Sequence, residues 1–235
     1  MKYEDIYLDD SYLIMNPNWH SDDAEWKSKL VFRILDSNKI IPNSLSEIGC
    51  GSGDILINLS NFYQNCKMKG FDISPQLSKF WDKHTNKNIE FILGDFHSVC
   101  KEKFSVLCML DVFEHVRDPN RFLEASLSFA DYFVFHIPLD LSSISVMRKT
   151  TLMLSRKNVG HLHFFTKDLA LQILKDSGYD IIDWQYTNAS SKAPNRKLKT
   201  KLFELPRRIA YLINKDLGVR IFGGETIIVL AKAHK

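Results

Sequence analysis

The run Glu47-Ile48-Gly49-Cys50-Gly51-Ser52-Gly53-Asp54 sets three glycines on alternate positions behind a carboxylate. Glycine lets a backbone turn tightly and approach a ligand closely, and a helix beginning after the last glycine presents free amides at its positive end. Two further acids complete a nucleoside-binding set: Asp72, able to accept from ribose hydroxyls, and Asp95, able to accept from an adenine amino group. A dinucleotide fingerprint, G-x-G-x-x-G counted from Gly49 and Gly51, would need glycine at position 54, where this chain has Asp. A carboxylate beside the turn suits a cationic sulfonium and amino group better than a pyrophosphate. The spacing therefore favours S-adenosylmethionine (SAM) over a nicotinamide dinucleotide.

These residues need a scaffold that carries them to one place. Residues 22–37 read as a helix with Trp26, Leu30, Val31 and Ile34 on one face and Ser21 or Asp22 as cap. Residues 44–48 form a short buried strand running into Gly49, and 54–61 resume helix. Further strands follow at 68–73, 89–93 and 104–110, the last nearly all apolar, as a strand buried on both faces should be. Pro75 fits the first position of a helix, Asp118-Pro119 opens another that runs to Phe129, and 132–137 is a fifth strand ended by Pro138. Alternating strands and helices predict a parallel sheet with right-handed crossovers, whose ligands bind outside the carboxyl ends of the strands. Beyond it lie an inserted helix at 141–158, a helix capped by Thr166 and stopped at Gly178, and strands at 179–187 and 225–231. The stretch 188–222 between those strands exceeds what a hairpin needs and reads as a lid.

The same segments resemble class I SAM-dependent methyltransferases. The 47–54 run resembles their first motif, Gly70-Phe71-Asp72-Ile73-Ser74 the second and Gly94-Asp95-Phe96 the third. Leu110-Asp111-Val112-Phe113-Glu114-His115-Val116 is similar to the D-V-x-E-H-V of a broad small-molecule group that includes ubiquinone-biosynthesis and polysaccharide-cluster enzymes. Gly160-His161-Leu162-His163-Phe164-Phe165-Thr166, a helix and Gly178-Tyr179 resemble that group's H-x-x-F-T … G-F/Y element, and 224–232 its closing strand. The likeness runs in order from about residue 44 to 232 and leaves out the first 40 residues and 188–222.

It implies an α/β, Rossmann-like, seven-stranded mixed sheet with the last strand antiparallel and helices on both faces. A helical cover over 1–40 would precede a methyltransferase domain over 41–235, capped by helical insertions at 141–163 and 188–222. SAM would be the methyl donor and S-adenosylhomocysteine an inhibitory product. Carried over by position, Gly49, Gly51 and Gly53 line the methionine and ribose, with Glu47 near the amino acid end. Asp72, with Ile73 beside it, holds the ribose; Asp95 and Phe96 hold the adenine; Leu110 offers backbone contacts.

Methyl transfer is an in-line displacement, so such a protein mainly positions a nucleophile and manages its proton. Histidine suits that task near neutrality, which makes His115, His161 and His163 the catalytic candidates. His136, inside a predicted strand, reads instead as a core residue. His161 and His163 alternate, so only one faces the site if this piece is extended. Asp111, Glu114 and His115 could also hold a divalent cation, as some related ubiquinone-pathway enzymes do, but hard cations want more oxygen ligands, and no metal is expected. Base-methylating enzymes carry N/D-P-P-Y/F/W after the fourth strand; here Asp111-Val112-Phe113-Glu114 lacks proline, and no cysteine follows a proline. A nucleic-acid partner is therefore not expected. The aromatic N-terminal residues Tyr7, Tyr12, Trp19, His20 and Trp26 either fold over the ligands or cover the sheet edge.

The formal net charge of +3 is unevenly spread. Residues 188–222 hold nine Lys or Arg against Glu204 and Asp216, a net +7. Residues 141–163 hold Arg148, Lys149, Arg156 and Lys157 and no acid, a net +4, so the remainder is −8. Two basic segments predict an anionic acceptor such as a phosphorylated or nucleotide-linked sugar. The amphipathic piece 202–213 could instead rest on an anionic membrane surface or a dimer partner, and Pro206 argues against one long helix there. No stretch approaches the roughly 20 apolar residues of a membrane span. The acidic start, 1–10, does not read as a signal peptide, and Cys50, Cys66, Cys100 and Cys108, with no CxxC pair, suit reduced thiols in a cytoplasmic protein without zinc. The expected activity is methyl transfer from SAM to a hydroxyl, and secondly an amino group, of a small anionic or saccharide-type acceptor. The alternative of another class is a partner protein that binds SAM without turnover.

Overall fold

Apolar residues on both sides of the central strands decide the architecture. The computed structural model describes residues 5–9, 11–19, 21–84, 86–148, 150–194 and 204–234. His20, Lys149 and the basic residues Arg196, Lys197, Lys199 and Lys201 lie outside them. In chain order the described elements begin with helices α1 (Asp5–Leu8), α2 (Ser11–Met15) and α3 (Ala24–Ser37), then β1 (Ser44–Ile48), α4 (Asp54–Phe62) and β2 (Lys67–Asp72). They continue with α5 (Ser78–Trp81), β3 (Ile89–Leu93), α6 (Phe96–Val99), β4 (Phe104–Leu110), α7 (Pro119–Ser126) and β5 (Ala130–Leu139). After β5 come α8 (Ser143–Met147), α9 (Thr151–Val159), α10 (Lys167–Asp176), β6 (Tyr179–Tyr186), α11 (Ala189–Lys192), α12 (Glu204–Phe222) and β7 (Glu225–Ala233).

The seven strands form one sheet in the order β3-β2-β1-β4-β5-β7-β6. Strands β1 to β5 are parallel, and β7 runs antiparallel between β5 and β6. Successive side chains of a strand point to opposite faces, and here both faces are covered. Leu107 and Met109 of β4 join Phe133, Phe135 and Ile137 of β5 in a core that also takes Leu123, Ala170 and Leu174 from α7 and α10. Val106, Cys108 and Leu110 join Leu30, Val31 and Ile34 of α3 and Leu56 and Leu59 of α4 on the other side. All four cysteines are buried and unpaired. The strand order reverses between β1 and β4, which opens a crevice at their carboxyl ends.

Four local expectations need correcting. Residue 138 does not end the fifth strand: Pro138 pairs with Thr226, and β5 continues to Leu139. His136 offers its carbonyl to the Asp111 N–H on the β4 side, so Pro138, two residues on, turns its nitrogen to that same side, where β4 has already ended. No ladder hydrogen bond is lost. The 141–158 insertion is two helices, α8 and α9, the first closed by a capping box between Ser142 and Ser145. Neither Ser21 nor Asp22 caps α3: Ser21–Asp23 is a 3-10 turn, and Asp23 stands at the cap without a side-chain hydrogen bond. Finally, Pro206 sits in the first turn of α12, where its missing N–H has no helical partner to lose. The helix departs from helical geometry at Asn214 instead (φ −156°, ψ 105°), whose Oδ1 accepts from the Leu217 N–H at 3.0 Å and recaps the second half.

Candidate active site

The glycine turn is anchored from both sides. Gly49 and Cys50 donate their N–H groups to the Phe71 carbonyl of β2 at 2.8 and 3.1 Å. Asp72, ending β2, accepts from the Gly51 N–H through Oδ2 and from the Ser74 N–H through Oδ1, each at 3.0 Å. Gly51 and Gly53 hold φ of 52° and 85°, values an L side chain rarely adopts. At Gly53, the N-terminal cap of α4, a Cβ would also stand 2.5 Å from the Phe91 ring. At Gly51 it would meet nothing nearer than the Trp19 carbonyl, 3.8 Å away, so this backbone faces open space.

That space is a cavity of about 1170 Å³ at the crevice. Ligand sites run to roughly 300–1,000 Å³, so this one is at the large end. Glu47, Gly49, Gly51, Asp72, Ile73, Asp95, Phe96, Leu110, His115 and His161 all line it; Gly53 and His163 do not. Gly53 shapes the turn from behind. The His163 ring faces the Val116 carbonyl through Nε2 at 3.0 Å, so of the two alternating histidines it is His161 that reaches the cavity. Asp95 caps α6, accepting from the Ser98 N–H and hydroxyl through Oδ2, and stands exposed at the rim. Glu47 is 1% exposed and its Oε2 has no hydrogen-bond partner. Burial pushes its carboxyl up to about 8; Lys27 opposes the shift and Asp72 adds to it. A buried acceptor left without a donor is costly, and one in the wall of a cavity fits a cationic guest.

At the other end of the wall, Asp111 holds a left-handed φ of 57° directly after β4. Its carboxylate meets Lys27 Nζ at 2.8 Å and His136 Nδ1 at 2.7 Å. Burial alone would raise its pKa, but His136 and Lys27 together hold it well below the usual carboxylate range. His136 Nε2 in turn meets Thr226 Oγ1 at 2.8 Å, so this histidine is fixed at both nitrogens. Glu114 is fully buried, and neither carboxyl oxygen has a hydrogen-bond partner. Burial, reinforced by the Asp111 charge, raises its pKa well above the ordinary value. Its backbone carbonyl accepts from the Leu162 and His163 N–H groups at 2.8 and 3.1 Å, which pins the segment carrying His161 under the cavity.

His115 and His161 pack edge to face with ring centroids 4.8 Å apart. His115 Nδ1 lies 2.9 Å from the Tyr7 hydroxyl, and His161 Nδ1 lies 2.6 Å from Asp140 Oδ2. A carboxylate accepting from Nδ1–H holds the proton on that nitrogen and leaves Nε2 with its lone pair, the form a general base requires. One ligand atom each from Glu114, His115 and His161 falls within 4.8 Å of the others, a grouping with space for a cation. Asp111 stands outside it, engaged with Lys27 and His136.

Several contributors were not singled out from sequence. Lys27 lies beside the apolar stripe of α3, where a basic residue reads as a solvated neighbour; only the fold reveals Asp111 across from it. Asp140 behind His161 gave no local signal. Trp81 donates its Nε1–H to the Gly51 carbonyl at 2.9 Å and stacks on Phe91, and His84 meets the Ser52 carbonyl at 3.0 Å, so both brace the turn. Of the N-terminal aromatic residues that the sequence did single out, Tyr7, Tyr12, Trp19 and Trp26 line the cavity.

Residues 19–183 match the family model described as Methyltransferase domain. No curated protein sequence matches the chain. Among solved structures it is similar to magnesium protoporphyrin IX methyltransferase (ChlM) from Synechocystis PCC 6803 with bound SAH, at 16% identity over 90% of this chain and 83% of that one, TM-score 0.58. It is also similar to a chain of the complex between the Haloferax volcanii Trm112 methyltransferase activator and a methyltransferase, at 12% identity over 100% and 98% of the two chains, TM-score 0.63. A third likeness is the [4+2]-cyclase SpnF, at 14% identity over 88% and 81%, TM-score 0.60. At these identities the structural likenesses speak to the fold alone.

Proposed function

The chain belongs to the Methyltransferase domain family, and from that premise we propose that it transfers a methyl group from SAM to a hydroxyl group of a small, negatively charged acceptor. The observation that carries this reading is the meeting of the glycine turn, Asp72 and the unpartnered Glu47 carboxyl in one cavity wall. The residues fit the cofactor: open backbone at Gly51, an acceptor at Asp72 for ribose hydroxyls, and Glu47 for the ammonium of the amino acid end. Asp95 and Phe96 take the adenine side, and Ile73 and Leu110 close the apolar walls. SAM supplies the electrophilic methyl group when bound. His161, oriented by Asp140, takes the proton of the acceptor hydroxyl, and His115 shapes the same pocket with Tyr7 behind it. Anionic character of the acceptor is supported by the charge of the two basic segments, which reach the wall through Val159, His161, Ala189 and Ala193, and by Arg117 and Arg121 in the same lining.

The test is acceptor-dependent formation of S-adenosylhomocysteine. Phosphorylated and nucleotide-linked sugars are expected to give turnover where neutral hydroxyl compounds do not. Tight SAM binding without turnover on any of them would favour the silent partner protein instead.

Glu47 provides an independent check. Its raised pKa keeps it largely protonated at neutral pH, and a cation brought against it lowers that pKa again. Binding SAM near pH 7 is therefore expected to release a proton, on the order of one per site. Calorimetry in buffers of different ionisation enthalpy measures this directly. The release should vanish in Glu47→Gln; its absence from the wild type would remove Glu47 from the amino acid end.

A further inference from the structure

The helix α12 turns a stripe of apolar side chains outward. Arg207 on its inner side is 7% exposed, with Nε and Nη1 meeting no hydrogen-bond partner, and Lys215 reaches in to Asn188 Oδ1 at 2.7 Å. On the outer side Ile209, Leu212 and Ile213 follow one another at the spacing of a single helical stripe and are 53%, 88% and 82% exposed. Beyond the break at Asn214, Leu217 continues the apolar surface at 53% exposed. A helix on a globular core normally does the reverse. The surface extends past this helix, because α8 packs against both α12 and α9, and Met147 of α8 and Met153 of α9 are 84% and 63% exposed. Apolar area gathered in this way marks a surface that meets something.

We propose that this cap face docks on an anionic lipid bilayer surface, lying in the interface without crossing it. Charge selects the occupant. In the sequence, the segments from which the described helices of this face come, 141–163 and 188–222, carry net +4 and +7 in a chain whose remainder is −8. Arg148 and Lys157 of the first and Lys192 of the second are exposed, while Asp216 within the second is engaged by Lys167 and Arg220. Apolar side chains inserted at headgroup depth with cations around them are what an anionic interface retains. A second copy of the chain fits less well, since pairing through this face would set like charges against each other. No helix among the described residues is long and apolar enough to span a membrane, so the contact is peripheral. The inference stands apart from the methyl-transfer reading.

The experiment is vesicle flotation of the full chain with phosphatidylglycerol–phosphatidylcholine mixtures and with phosphatidylcholine alone, at low and high salt. The wild type is expected to float with the anionic vesicles only, with less bound as salt rises. The double variant L212E/I213E changes two exposed residues and should keep its melting temperature and its SAM affinity. Its partitioning should weaken roughly tenfold or more, as loss of two large inserted side chains predicts. Absence of binding to anionic vesicles, binding indifferent to lipid charge, or a double variant that floats like the wild type would each overturn the proposal. So would a solution dimer that the double variant disrupts, which would assign the face to a second copy. Failure to bind SAM would count against the methyl-transfer reading and leave the flotation result to stand.

Discussion

Asp72→Ala is expected to weaken SAM binding by on the order of a hundredfold while leaving the chain folded. Two losses combine. The carboxylate is the acceptor facing the cavity for ligand hydroxyls, and a hydrogen bond to a charged group is worth roughly 1.5–3 kcal/mol. It also ties down the turn: Oδ2 holds the Gly51 N–H at 3.0 Å, and without it a glycine at φ 52° has no side-chain anchor. Stability should move little, and the sign can be worked out. Burial raises the Asp72 pKa, with the backbone N–H groups of Ser74 and Gly51 opposing it. The folded state therefore holds this proton to higher pH than the unfolded one, so the ionised group works against folding as pH rises above the ordinary carboxylate range. Its removal relieves that cost while undoing the two N–H bonds. Asp72→Asn, which keeps one oxygen acceptor, should fall between the wild type and Asp72→Ala. Titration calorimetry with S-adenosylhomocysteine separates binding from folding, and affinity unchanged in Asp72→Ala would overturn the placement of the ribose.

How far the sequence reaches can be seen from where each residue's determinants lie. The strands around the crevice were readable because near-continuous apolar runs such as 104–110 have few other uses, and the turn because three alternate glycines demand unusual backbone angles. Asp72 and Asp95 were readable from their positions just after strands. The Lys27–Asp111–His136 cluster was not, because its members come from α3, the end of β4 and the middle of β5, and only the sheet order makes them neighbours. Pro138 misled for a related reason: whether a proline breaks a strand depends on whether a partner still runs beside it, which the chain does not reveal locally. The outward apolar stripe of α12 was legible as amphipathicity, but not which side faces the core. Periodicity gives the angle of a stripe and is silent about its direction.

The second large effect belongs to His161. Replacing it by alanine is expected to lower kcat by roughly 10²–10⁴-fold, the usual contribution of a positioned general base, with SAM affinity unchanged. The structural ground is the pairing of His161 Nδ1 with Asp140 Oδ2 at 2.6 Å, which commits one ring nitrogen and leaves the other as a lone-pair acceptor. Asp140→Asn should lower kcat in the same direction by less, since the amide can still hold the ring but no longer enforces the tautomer. His115 is in a different position. It lies between the Tyr7 hydroxyl at Nδ1 and Glu114, 3.9 Å from Nε2, so both nitrogens already have neighbours. His115→Ala and Tyr7→Phe should therefore act mainly on the acceptor's KM, through the shape of the pocket, more than on kcat. His163→Ala should leave turnover near the wild-type level, because that ring faces the Val116 carbonyl and not the cavity. Steady-state kinetics on the four single variants and Asp140→Asn decide the matter. If His161→Ala keeps near-normal kcat while His115→Ala loses it, the proton goes to the histidine beside Tyr7; if neither loses it, the acceptor surrenders its proton to solvent and the pair only shapes the pocket.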